Sequence, residues 1–547
     1  MLRIGIDFDN TIACYDDVFV SIARRLGISL RNNSVNKFEV RREIQSRADG
    51  GVVWQRLQGQ VYGKHMLLAH PFPGIHEFIF LARMRGHHVF VVSHKSKYGH
   101  FDADRVPLRD QAKLWLEKND FFRYGKFGLQ KQNIFFEATR EEKIQRIRDL
   151  KCTHFIDDLL EIFDDRSFPS DINKYVFNPN KSEVNIPKAL KFRSWRQITS
   201  NVLGCWSENE ILLLARQHFP NLNLNNAELM AGRANSRVYK LTSFDSACYL
   251  LKFYPDRQLD SRPRLETDFK ASSKLSELSY PVGSAIGFAH DFGLGLYEWL
   301  DGEPIVNCDD SFIHESIKFV ERLYSDSNHA SVFVQFGLAS QACLSGVEIA
   351  KQVELRIDNL LCLGDPTLTS FIRNQFIPIF HLALNAAMSS RDILFNEPLD
   401  QRYQIASPSD FGAHNAMRLP SGLVMFYDFE YFGWDDPVKL VSDFYWHPGM
   451  QLNANTREVW LERTSSIFVA DSDYLARLTA YLPLFGLRWC LIILNEFLKS
   501  ELPSAIDANP QQMIAYDDMC SRQLNKAKAL LQEIEEHLHH GSKVQTS

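Results

Sequence analysis

The sequence lacks any paired arrangement of cysteines. Its nine cysteines are scattered over 547 residues, and none stands in a CxxC spacing. Disulfide frameworks and structural zinc sites are built from closely spaced or paired cysteines, so this pattern favours reduced thiols. We therefore expect a cytoplasmic protein without a zinc site.

Long runs of a single residue class are also missing. Lys and Arg number 61 against 67 Asp and Glu, and no long basic run occurs, so we expect no nucleic-acid partner. The most apolar stretch, 478–494, is interrupted by Pro483 and Arg488 and is too short to span a bilayer, which predicts a buried helix. The first residues, MLRIGIDFDNT, carry acids where a signal peptide has its apolar region. No membrane partner is expected.

Apolar and aromatic residues, by contrast, are plentiful. Hydrophobic residues make up 45% of the chain, charged residues 23%, and 40 residues are phenylalanine, which is typical of a globular protein with large cores. The length predicts two or more domains. A polar stretch, SFPSDINKYVFNPNKSEVNIPK, precedes Trp195 and CWSENE and places the predicted boundary near residue 204. We expect one domain over 1–204 and a second over 205–547.

Three short apolar runs in the first domain each end in polar residues, which are Asp7 with Asp9, Ser93, and Asp157. Strand-like runs separated by helical patterns predict an α/β fold with a parallel sheet. The chemistry of such sheets lies at the carboxyl ends of the strands, so these residues form the first candidate site. The mostly helical segment 16–70 is a candidate insert over the sheet.

Asp7 and Asp9 stand two positions apart at the end of the first apolar run. On an extended strand end such residues point the same way. This suits a pair in which one carboxylate attacks and the other moves a proton. Neighbouring buried carboxylates are costly without a cation, which predicts a hard metal ion such as Mg²⁺. The alternative interpretation of DFDNT is a strand-end turn, where Asp and Asn are common.

DFDNT resembles the first motif, DxDxT, of the haloacid dehalogenase (HAD) superfamily of phosphatases. PFPGIHEFIFLARMRGHHVFVVSHK is similar to its second motif, a helix and a strand that ends in Ser93. EATREEK resembles the third motif, with Lys143, and HFIDDL the terminal acidic motif, with Asp157 and Asp158. All four stretches occur in the right order, and the resemblance covers about residues 1 to 200.

The HAD resemblance implies a Rossmann-like α/β domain with a helical cap, roughly residues 15–72, that selects the substrate. The resemblance implies that Asp7 is the nucleophile that forms an aspartyl-phosphate and that Asp9 is the acid/base, oriented by Thr11. It implies that Ser93 and Lys143 bind the phosphate oxygens. The implied Mg²⁺ ligands are Asp7, Asp9 and Asp157, assisted by Asp158. The residues after Ser93, which are His94, Lys95 and Lys97, are open between substrate contacts and a solvated loop.

The second domain offers the parts that phosphoryl transfer from ATP needs, which are a phosphate loop, a lysine, metal-binding acids and a base. Residues 229–254 alternate like strands around a turn that contains Gly232, Asn235 and Ser236. A lysine in the apolar run YLLKFY, Lys252, needs a partner or a ligand. Further along, SPSDFGAHN carries an acid and an amide five positions apart, and another acid follows the apolar run LVMFY.

SDFGAHN and YDFEYFGWDDPVKLVSD resemble two motifs of the aminoglycoside phosphotransferase and choline kinase family, HGDxxxxN and IDFExxxxGDPxxDLA. The resemblance covers about residues 205–540 and implies a two-lobed, protein-kinase-like α+β fold. The resemblance implies that Asp410 is the catalytic base, that Asn415 and Asp428 are Mg²⁺ ligands, and that Asp443 is structural. The implied contacts of ATP or another nucleoside triphosphate are Gly232, Asn235, Ser236 and Lys252. Glu266 would be the partner of Lys252, and Glu298–Trp299 would form the hinge beside adenine.

One departure from the family pattern is Pro408, which stands where the family has a histidine that braces the loop. Proline stiffens a loop by fixing φ, so we expect a variant loop that keeps its activity. The expected protein is bifunctional. It would hydrolyse a phosphomonoester and phosphorylate a small hydroxylated metabolite such as a sugar, polyol or amino alcohol.

The loop and the downstream LFGLRWCLIILNEF are similar to kinase-like proteins of bacterial surface-polysaccharide pathways. This resemblance implies phosphorylated and hydroxylated small molecules as the partners. The alternative hypothesis keeps the phosphatase and makes the second domain an inactive, nucleotide-binding regulatory module. The sequence indicates neither substrate, and it leaves the oligomeric state open.

Overall fold

The computed structural model describes the chain outside residues 31–35, 100–103, 124–127, 180–188, 231–236, 256–259, 261, 330–331, 391–392, 394, 499–509 and 545–547. The chain forms two compact units. The first contains Met1–Ser261 with Phe288–Leu294, and the second contains Arg262–Gly287 with Gly295–Ser547.

Strands and helices alternate along most of the first unit. They are β1 (Arg3–Ile6), β2 (Ala13–Cys14), α1 (Asp16–Arg25), α2 (Lys37–Gln45), α3 (Gly50–Tyr62), β3 (His70–Pro71), α4 (Ile75–Met84), β4 (His88–His94), α5 (Leu108–Lys118), β5 (Ile134–Glu137), α6 (Arg140–Asp149), β6 (His154–Asp157), β7 (Asn173–Phe177), β8 (Leu190–Phe192), α7 (Trp195–Val202), α8 (Glu208–His218), β9 (Leu224–Leu229), β10 (Arg237–Ser243) and β11 (Cys248–Phe253).

A six-stranded sheet organises this unit, in the order β5-β4-β1-β6-β7-β8, and every adjacent pair is parallel. The central strands are buried apolar runs because helices cover both faces of a parallel sheet. On β1, a Cβ at Gly5 would lie 2.5 Å from the ring of Phe155, so the close approach of β6 requires a glycine there. The predicted parallel α/β sheet is therefore present.

A helical insert leaves the sheet through a two-stranded stem. β2 and β3 pair antiparallel, with Ala13 opposite Pro71 and Cys14 opposite His70. The three helices α1, α2 and α3 lie between them along the chain. This insert is called the cap below, and the predicted limits at 15 and 72 adjoin its stem.

The predicted domain boundary near residue 204 falls inside the first unit. The Trp206 indole N–H donates to the Glu77 carboxylate on α4 at 2.7 Å. Arg85, at the end of α4, pairs with Glu210 on α8 at 2.7 Å. These contacts join the chain on both sides of residue 204, so its polar composition marks a connection within one unit.

The second sheet has the order β12-β13-β11-β10-β9, where β12 is Ala285–Ala289 and β13 is Leu294–Glu298. β10 pairs antiparallel with β9 and with β11. The turn between β12 and β13 supplies the stretch Phe288–Leu294 that belongs to the first unit.

The second unit is mainly helical. Its further elements are α9 (Arg264–Glu277), β14 (Glu303–Pro304), α10 (Asp310–Ser327), α11 (Gly346–Leu361), α12 (Pro366–Phe371), α13 (Ile377–Ser389), β15 (Ile405–Ser407), β16 (Ala416–Arg418), β17 (Val424–Phe426), β18 (Gly433–Asp435), α14 (Pro437–Trp446), α15 (Ala454–Ile467), α16 (Tyr474–Ile493), α17 (Asn495–Leu498) and α18 (Pro510–Val544). β15 pairs with β18, and β16 with β17, in both cases antiparallel.

The apolar stretch 478–494 lies on α16. In the described part of the chain, one helical segment, Tyr474–Leu498, is long and apolar enough to cross a membrane by length and composition. Most of α16 is buried, however, and it packs against α14 and α18 in the core of the second unit. The burial is that of a core helix, in agreement with the sequence prediction.

Candidate active sites

The first site lies where β1 and β6 end. Asp7 follows β1, and its N–H donates to the carbonyl of Ile156 at 2.9 Å, which fixes it beside Asp157. Asp7, Asp157 and Asp158 each offer a carboxylate oxygen, and these oxygens lie within 4.8 Å of one another. Such a set of hard oxygen donors fits Mg²⁺. Asp7 and Asp157, two of the three predicted ligands, thus lie together.

A buried lysine joins the two strand ends. Lys143 lies one turn into α6, whose first turn is capped by Thr139. Its ammonium contacts Asp7 at 2.5 Å and Asp157 at 2.6 Å. Burial raises the pKa of Asp7, while Lys143 opposes the rise and Asp157 adds to it. A divalent cation beside these carboxylates would favour their ionised form, so the chemistry of the donor set fits a bound Mg²⁺.

The Asp9 carboxylate lies outside this cluster, and its role as a metal ligand stays a prediction. Its carboxylate accepts hydrogen bonds from the Lys95 ammonium at 2.7 and 2.8 Å and from the Tyr15 hydroxyl at 2.5 Å. Asp158 is the third carboxylate of the cluster. Lys95 and Tyr15 compensate the charge of Asp9 directly.

Thr11 also differs from its predicted role as the residue that orients Asp9. Its hydroxyl is buried and has no hydrogen-bond partner among the described residues. Its carbonyl accepts a hydrogen bond from the Trp195 indole at 2.9 Å, which anchors the loop after β1 to α7.

The strand β4 delivers two residues to the same edge of the sheet. Ser93 is 1% exposed, and β4 lies beside β1. Of the three residues left open after Ser93, Lys95 is buried against Asp9. His94 is exposed and contacts the carbonyl of Ala138, and Lys97 is exposed. Lys95 is therefore the site residue of the three.

The cap contributes residues that the sequence did not single out. Tyr15 and Tyr62 pack edge to face with ring centroids 4.8 Å apart, and the Lys95 ammonium lies 5.1 Å from the Tyr62 ring. The Lys37 ammonium lies 5.7 Å from the same ring. Burial alone would lower the pKa of Lys37, but Tyr62 and Asp158 raise it above its ordinary value. The cap thus places a charged lysine and two tyrosines near the carboxylates.

The second site lies on the loop between β15 and β16. The Asp410 carboxylate contacts the His414 ring nitrogen at 2.9 Å, and His447 lies 3.9 Å away. The two imidazoles stack with centroids 3.8 Å apart. Burial would raise the pKa of Asp410, but His414, His447 and Asn415 hold it well below its ordinary value. Asp410 is thus an ionised carboxylate able to accept a hydrogen bond from a hydroxyl.

Asn415 and Asp428 lie at the two ends of the β16–β17 hairpin. The side-chain amide of Asn415 donates to the backbone carbonyl of Asp410 at 2.9 Å, and the backbone carbonyl of Asn415 accepts from the N–H of Tyr427 at 3.0 Å. Asp428 has a φ of 71°, which turns the chain sharply after β17. Its carboxylate lies with those of Asp268 and Glu430, with ligand oxygens within 4.8 Å of one another. This oxygen-rich set also fits Mg²⁺.

The loop is supported next to Pro408, the residue that replaces the family's histidine. Ser409 accepts a hydrogen bond from the buried Lys439 ammonium at 3.0 Å. Lys439 also pairs with Asp435 at 2.8 Å and with Asp443 at 3.5 Å. These contacts tie the loop to α14, so the missing histidine does not leave it unsupported.

Asp443 closes the same buried network. Both of its oxygens accept from Arg488 at 2.7 Å, and one also accepts from the Trp489 indole at 2.9 Å. A buried carboxylate with this many charged and neutral donors holds α14 against α16. Its structural role agrees with the sequence prediction.

The predicted nucleotide contacts are spread along the chain. Lys252 is 6% exposed on β11 in the first unit, and its ammonium lies 4.5 Å from the Tyr254 ring centroid. Glu266 lies on α9 and Glu298 at the end of β13, both in the second unit. The Lys252–Glu266 pair and the Glu298 hinge stay predictions. Gly232, Asn235 and Ser236 lie outside the described residues.

In the comparisons with known proteins, the matches are solved structures, and they cover part of this chain. No family model and no curated protein matches the sequence. A spectinomycin phosphotransferase structure with ADP and spectinomycin has 13% identity and a TM-score of 0.42, covering 59% of this chain and 98% of that one.

Two further structures give similar values. Choline kinase from Streptococcus pneumoniae has 15% identity and a TM-score of 0.39, covering 59% of this chain and 98% of its own. Ethanolamine kinase from Plasmodium vivax has 13% identity and a TM-score of 0.38, covering 61% and 93%. TM-scores below 0.5 do not establish a shared fold, so the activity must be inferred from the residues themselves.

Proposed function

We propose that the first unit is a Mg²⁺-dependent phosphatase that acts through an aspartyl-phosphate. The observation that carries this proposal is the buried cluster of Asp7, Asp157 and Asp158 joined by Lys143, next to a second aspartate held in place by Lys95 and Tyr15. One carboxylate is thus available to attack, and another to move a proton.

In the proposed reaction an oxygen of Asp7 attacks the phosphorus, forming the aspartyl-phosphate bond as the bond to the leaving alcohol breaks. Asp9 gives a proton to the leaving oxygen and then takes one from the water that hydrolyses the intermediate. Lys95 and Tyr15 orient Asp9 and stabilise it when it is ionised. Lys143 and Ser93 bind the phosphoryl oxygens. Asp7, Asp157 and Asp158 would hold Mg²⁺, which would supply positive charge to offset the phosphate dianion.

The test of the phosphatase is Asp7→Asn, which keeps the shape of the side chain but removes its nucleophilic charge. We expect phosphate release from a library of phosphomonoesters to fall by about 10⁴-fold or more while thermal unfolding still shows a folded protein. The control is Asp149→Asn, a carboxylate exposed on α6, which should keep full activity. Hydrolysis that persists in folded Asp7→Asn would rule out the mechanism.

For the second unit we propose ATP-dependent phosphorylation of a small hydroxylated compound. The observation that carries it is the half-buried, ionised Asp410, fixed by Asn415 and two stacked histidines. Asp410 takes the proton of the acceptor hydroxyl as the acceptor oxygen bonds to the γ-phosphorus and ADP leaves. Asn415 and Asp428 would hold Mg²⁺, which offsets charge on the triphosphate.

The kinase test is Asp410→Asn in the full chain, measured as ATP-dependent phosphate incorporation into hydroxylated acceptors. We expect loss of transfer with nucleotide binding retained, because the substitution removes only the base. Asp310→Asn, at an exposed position on α10, is the matched control and should transfer normally. If the wild type binds ATP with Mg²⁺ but never phosphorylates an acceptor, the regulatory alternative replaces this proposal.

A further inference from the structure

The second unit contains an arginine that the proposed steps do not use. Arg356 lies on α11, one turn after Gln352, and donates to the side-chain oxygen of Gln341 at 2.8 Å. Within the described residues, no carboxylate lies at ion-pairing distance from its guanidinium. An arginine that is partly removed from water normally takes a carboxylate or a phosphate as its partner. Arg356 has only a neutral amide.

Two more guanidinium groups face the same segment of chain. Arg262 contacts the hydroxyl of Ser340 at 3.4 Å, next to Gln341. Arg488, on α16, donates to the side-chain oxygen of Gln352 at 3.1 Å. Gln341 and Gln352, which are joined by a hydrogen bond, and the neighbouring Ser340 thus bring three like charges together in one region, called the arginine surface below.

The positive charge of the arginine surface is only partly compensated. Asp443 accepts two hydrogen bonds from Arg488 and pairs with it. Among the described residues no carboxylate pairs with Arg356, and burial together with the neighbouring Arg488 and Arg262 lowers its pKa to about 10. A bound anion at Arg356 would relieve the repulsion between these like charges.

The arginine surface adjoins the catalytic base on two sides. The Arg262 guanidinium carbon lies 4.9 Å from the ring centroid of Tyr431. Burial and the neighbouring Glu430 raise the pKa of Tyr431, Arg264 and Arg262 oppose the rise, and Asp410 adds to it, so charges of both signs act on this ring. From α16, the Trp489 ring contacts His447 at 4.5 Å, and His447 faces Asp410. A small molecule with its hydroxyl at Asp410 can therefore extend towards the arginines.

We propose that the acceptor phosphorylated by the second unit is an anion, a hydroxylated compound whose carboxylate or phosphate group is bound by Arg356 in the arginine surface. This inference rests on the kinase activity proposed above. During transfer the hydroxyl proton passes to Asp410, the oxygen–phosphorus bond forms, and the bond from the γ-phosphorus to the bridging oxygen of ATP breaks. The bound anion itself does not react, and it fixes which hydroxyl faces Asp410.

The test compares matched acceptors in the full chain carrying Asp7→Asn, so that product is not hydrolysed. Glycerol is compared with glycerate and glycerol 3-phosphate, and glucose with gluconate and glucose 6-phosphate. We expect an anionic member to have kcat/KM about 10- to 100-fold above its neutral counterpart. The carboxylate and phosphate arms show which anion is preferred. Arg356→Gln should abolish the preference without changing KM for ATP, whereas Arg463→Gln, at an exposed position on α15, should keep it.

Two results would overturn the inference. One is a wild-type preference for neutral or cationic acceptors such as choline. The other is an equal loss of kcat/KM for all acceptors in folded Arg356→Gln. A calorimetric titration of glycerate and glycerol 3-phosphate gives a readout without turnover. The anion site is supported if the wild type and Arg356→Lys bind these anions and Arg356→Gln does not. If transfer fails while this binding pattern holds, the failure counts against the proposed kinase alone. Absence of binding to the wild type overturns the site.

Discussion

Lys37 shows how a single cap residue can affect the chemistry of the first site. Its backbone N–H is fixed by Asp16 at 2.9 Å, and its ammonium lies near the ring of Tyr62. The neighbouring Asp158 favours its charged form. A charged group in this place can contact the phosphoryl oxygens or the leaving alcohol, so we predict that it contributes to substrate binding and not to folding.

The corresponding change is Lys37→Met, which keeps the length of the side chain and removes its charge. We expect kcat/KM for phosphomonoester hydrolysis to fall by about 10- to 100-fold, with an unchanged thermal midpoint. Lys64→Met, an exposed lysine that follows α3, serves as the control and should hydrolyse at the wild-type rate. Equal rates for Lys37→Met and the wild type on every substrate would show that the cap lysine does not contact substrate.

Sequence motifs identified the residues whose positions follow from the strand order. Asp7, Asp157 and Lys143 could be predicted because each follows a strand or opens a helix at a fixed edge of the sheet. Tyr62 and His447 could not. Their positions near the carboxylates depend on how the cap and α14 fold, and local spacing in the sequence does not encode such distant approaches.

At the scale of elements, the contact between α4 and α8 can be tested by pH. Arg85 lowers the pKa of Glu210 to about 2 from an ordinary value of 4.5. A carboxylate whose pKa is lower in the folded state stabilises the protein above its ordinary pKa, and this stabilisation is lost as the pH falls towards 2. The ion pair therefore stabilises the folded protein at neutral pH and not in strong acid.

We predict that Glu210→Gln lowers the free energy of unfolding by about 1 kcal/mol at pH 7, allowing for solvent screening of the pair. The difference from the wild type should shrink as the pH falls from 5 to 3, measured by denaturant unfolding with tryptophan fluorescence. The surface pair of Glu117 and Lys131 is the control, and Glu117→Gln should change little at any pH. A pH-independent difference would contradict a contribution from the charge of Glu210.

The same contact explains why element boundaries were harder to predict than the elements. The strands of the parallel sheet could be predicted because buried apolar runs end in recognisable polar residues. The boundary near residue 204 stays a prediction, because a polar connection between domains and one within a compact unit have the same composition. Distant contacts such as that of Trp206 with Glu77 are not encoded in this local composition.

For the whole molecule, the proposed catalytic residues Asp7 and Asp410 belong to different compact units. A phosphatase and a kinase that acted on the same position of one compound would only hydrolyse ATP. The two activities therefore either move a phosphate between positions or serve separate steps. We favour separate steps, because fusion of two folds in one chain does not imply a shared substrate.

This hypothesis predicts the outcome of a ³¹P NMR experiment with the phosphatase substrate and ATP. Separate steps predict that the dephosphorylated compound accumulates equally in the wild type and in Asp410→Asn. A new phosphomonoester that appears in the wild type and not in Asp410→Asn would instead establish relocation of the phosphate. Asp7→Asn is the control for substrate consumption and should leave the starting phosphomonoester intact.

Cytoplasmic location and a step in surface-polysaccharide synthesis stay predictions, because the geometry of carboxylates and lysines depends on the reaction and not on the pathway. The charge of an acceptor is different, since a surface such as that around Arg356 selects it directly.

The stem of the cap has a consequence for how this protein can be diversified. The chain leaves the sheet at Cys14 and returns at His70, and these two residues face each other across paired strands. A segment that keeps Tyr15 beside Asp9 and whose ends meet at that spacing can be exchanged here without shifting the register of β1 or moving Asp7. Substrate range and bond-breaking chemistry are therefore separable by design, and a library of transplanted inserts is a direct route to new substrates on an unchanged sheet.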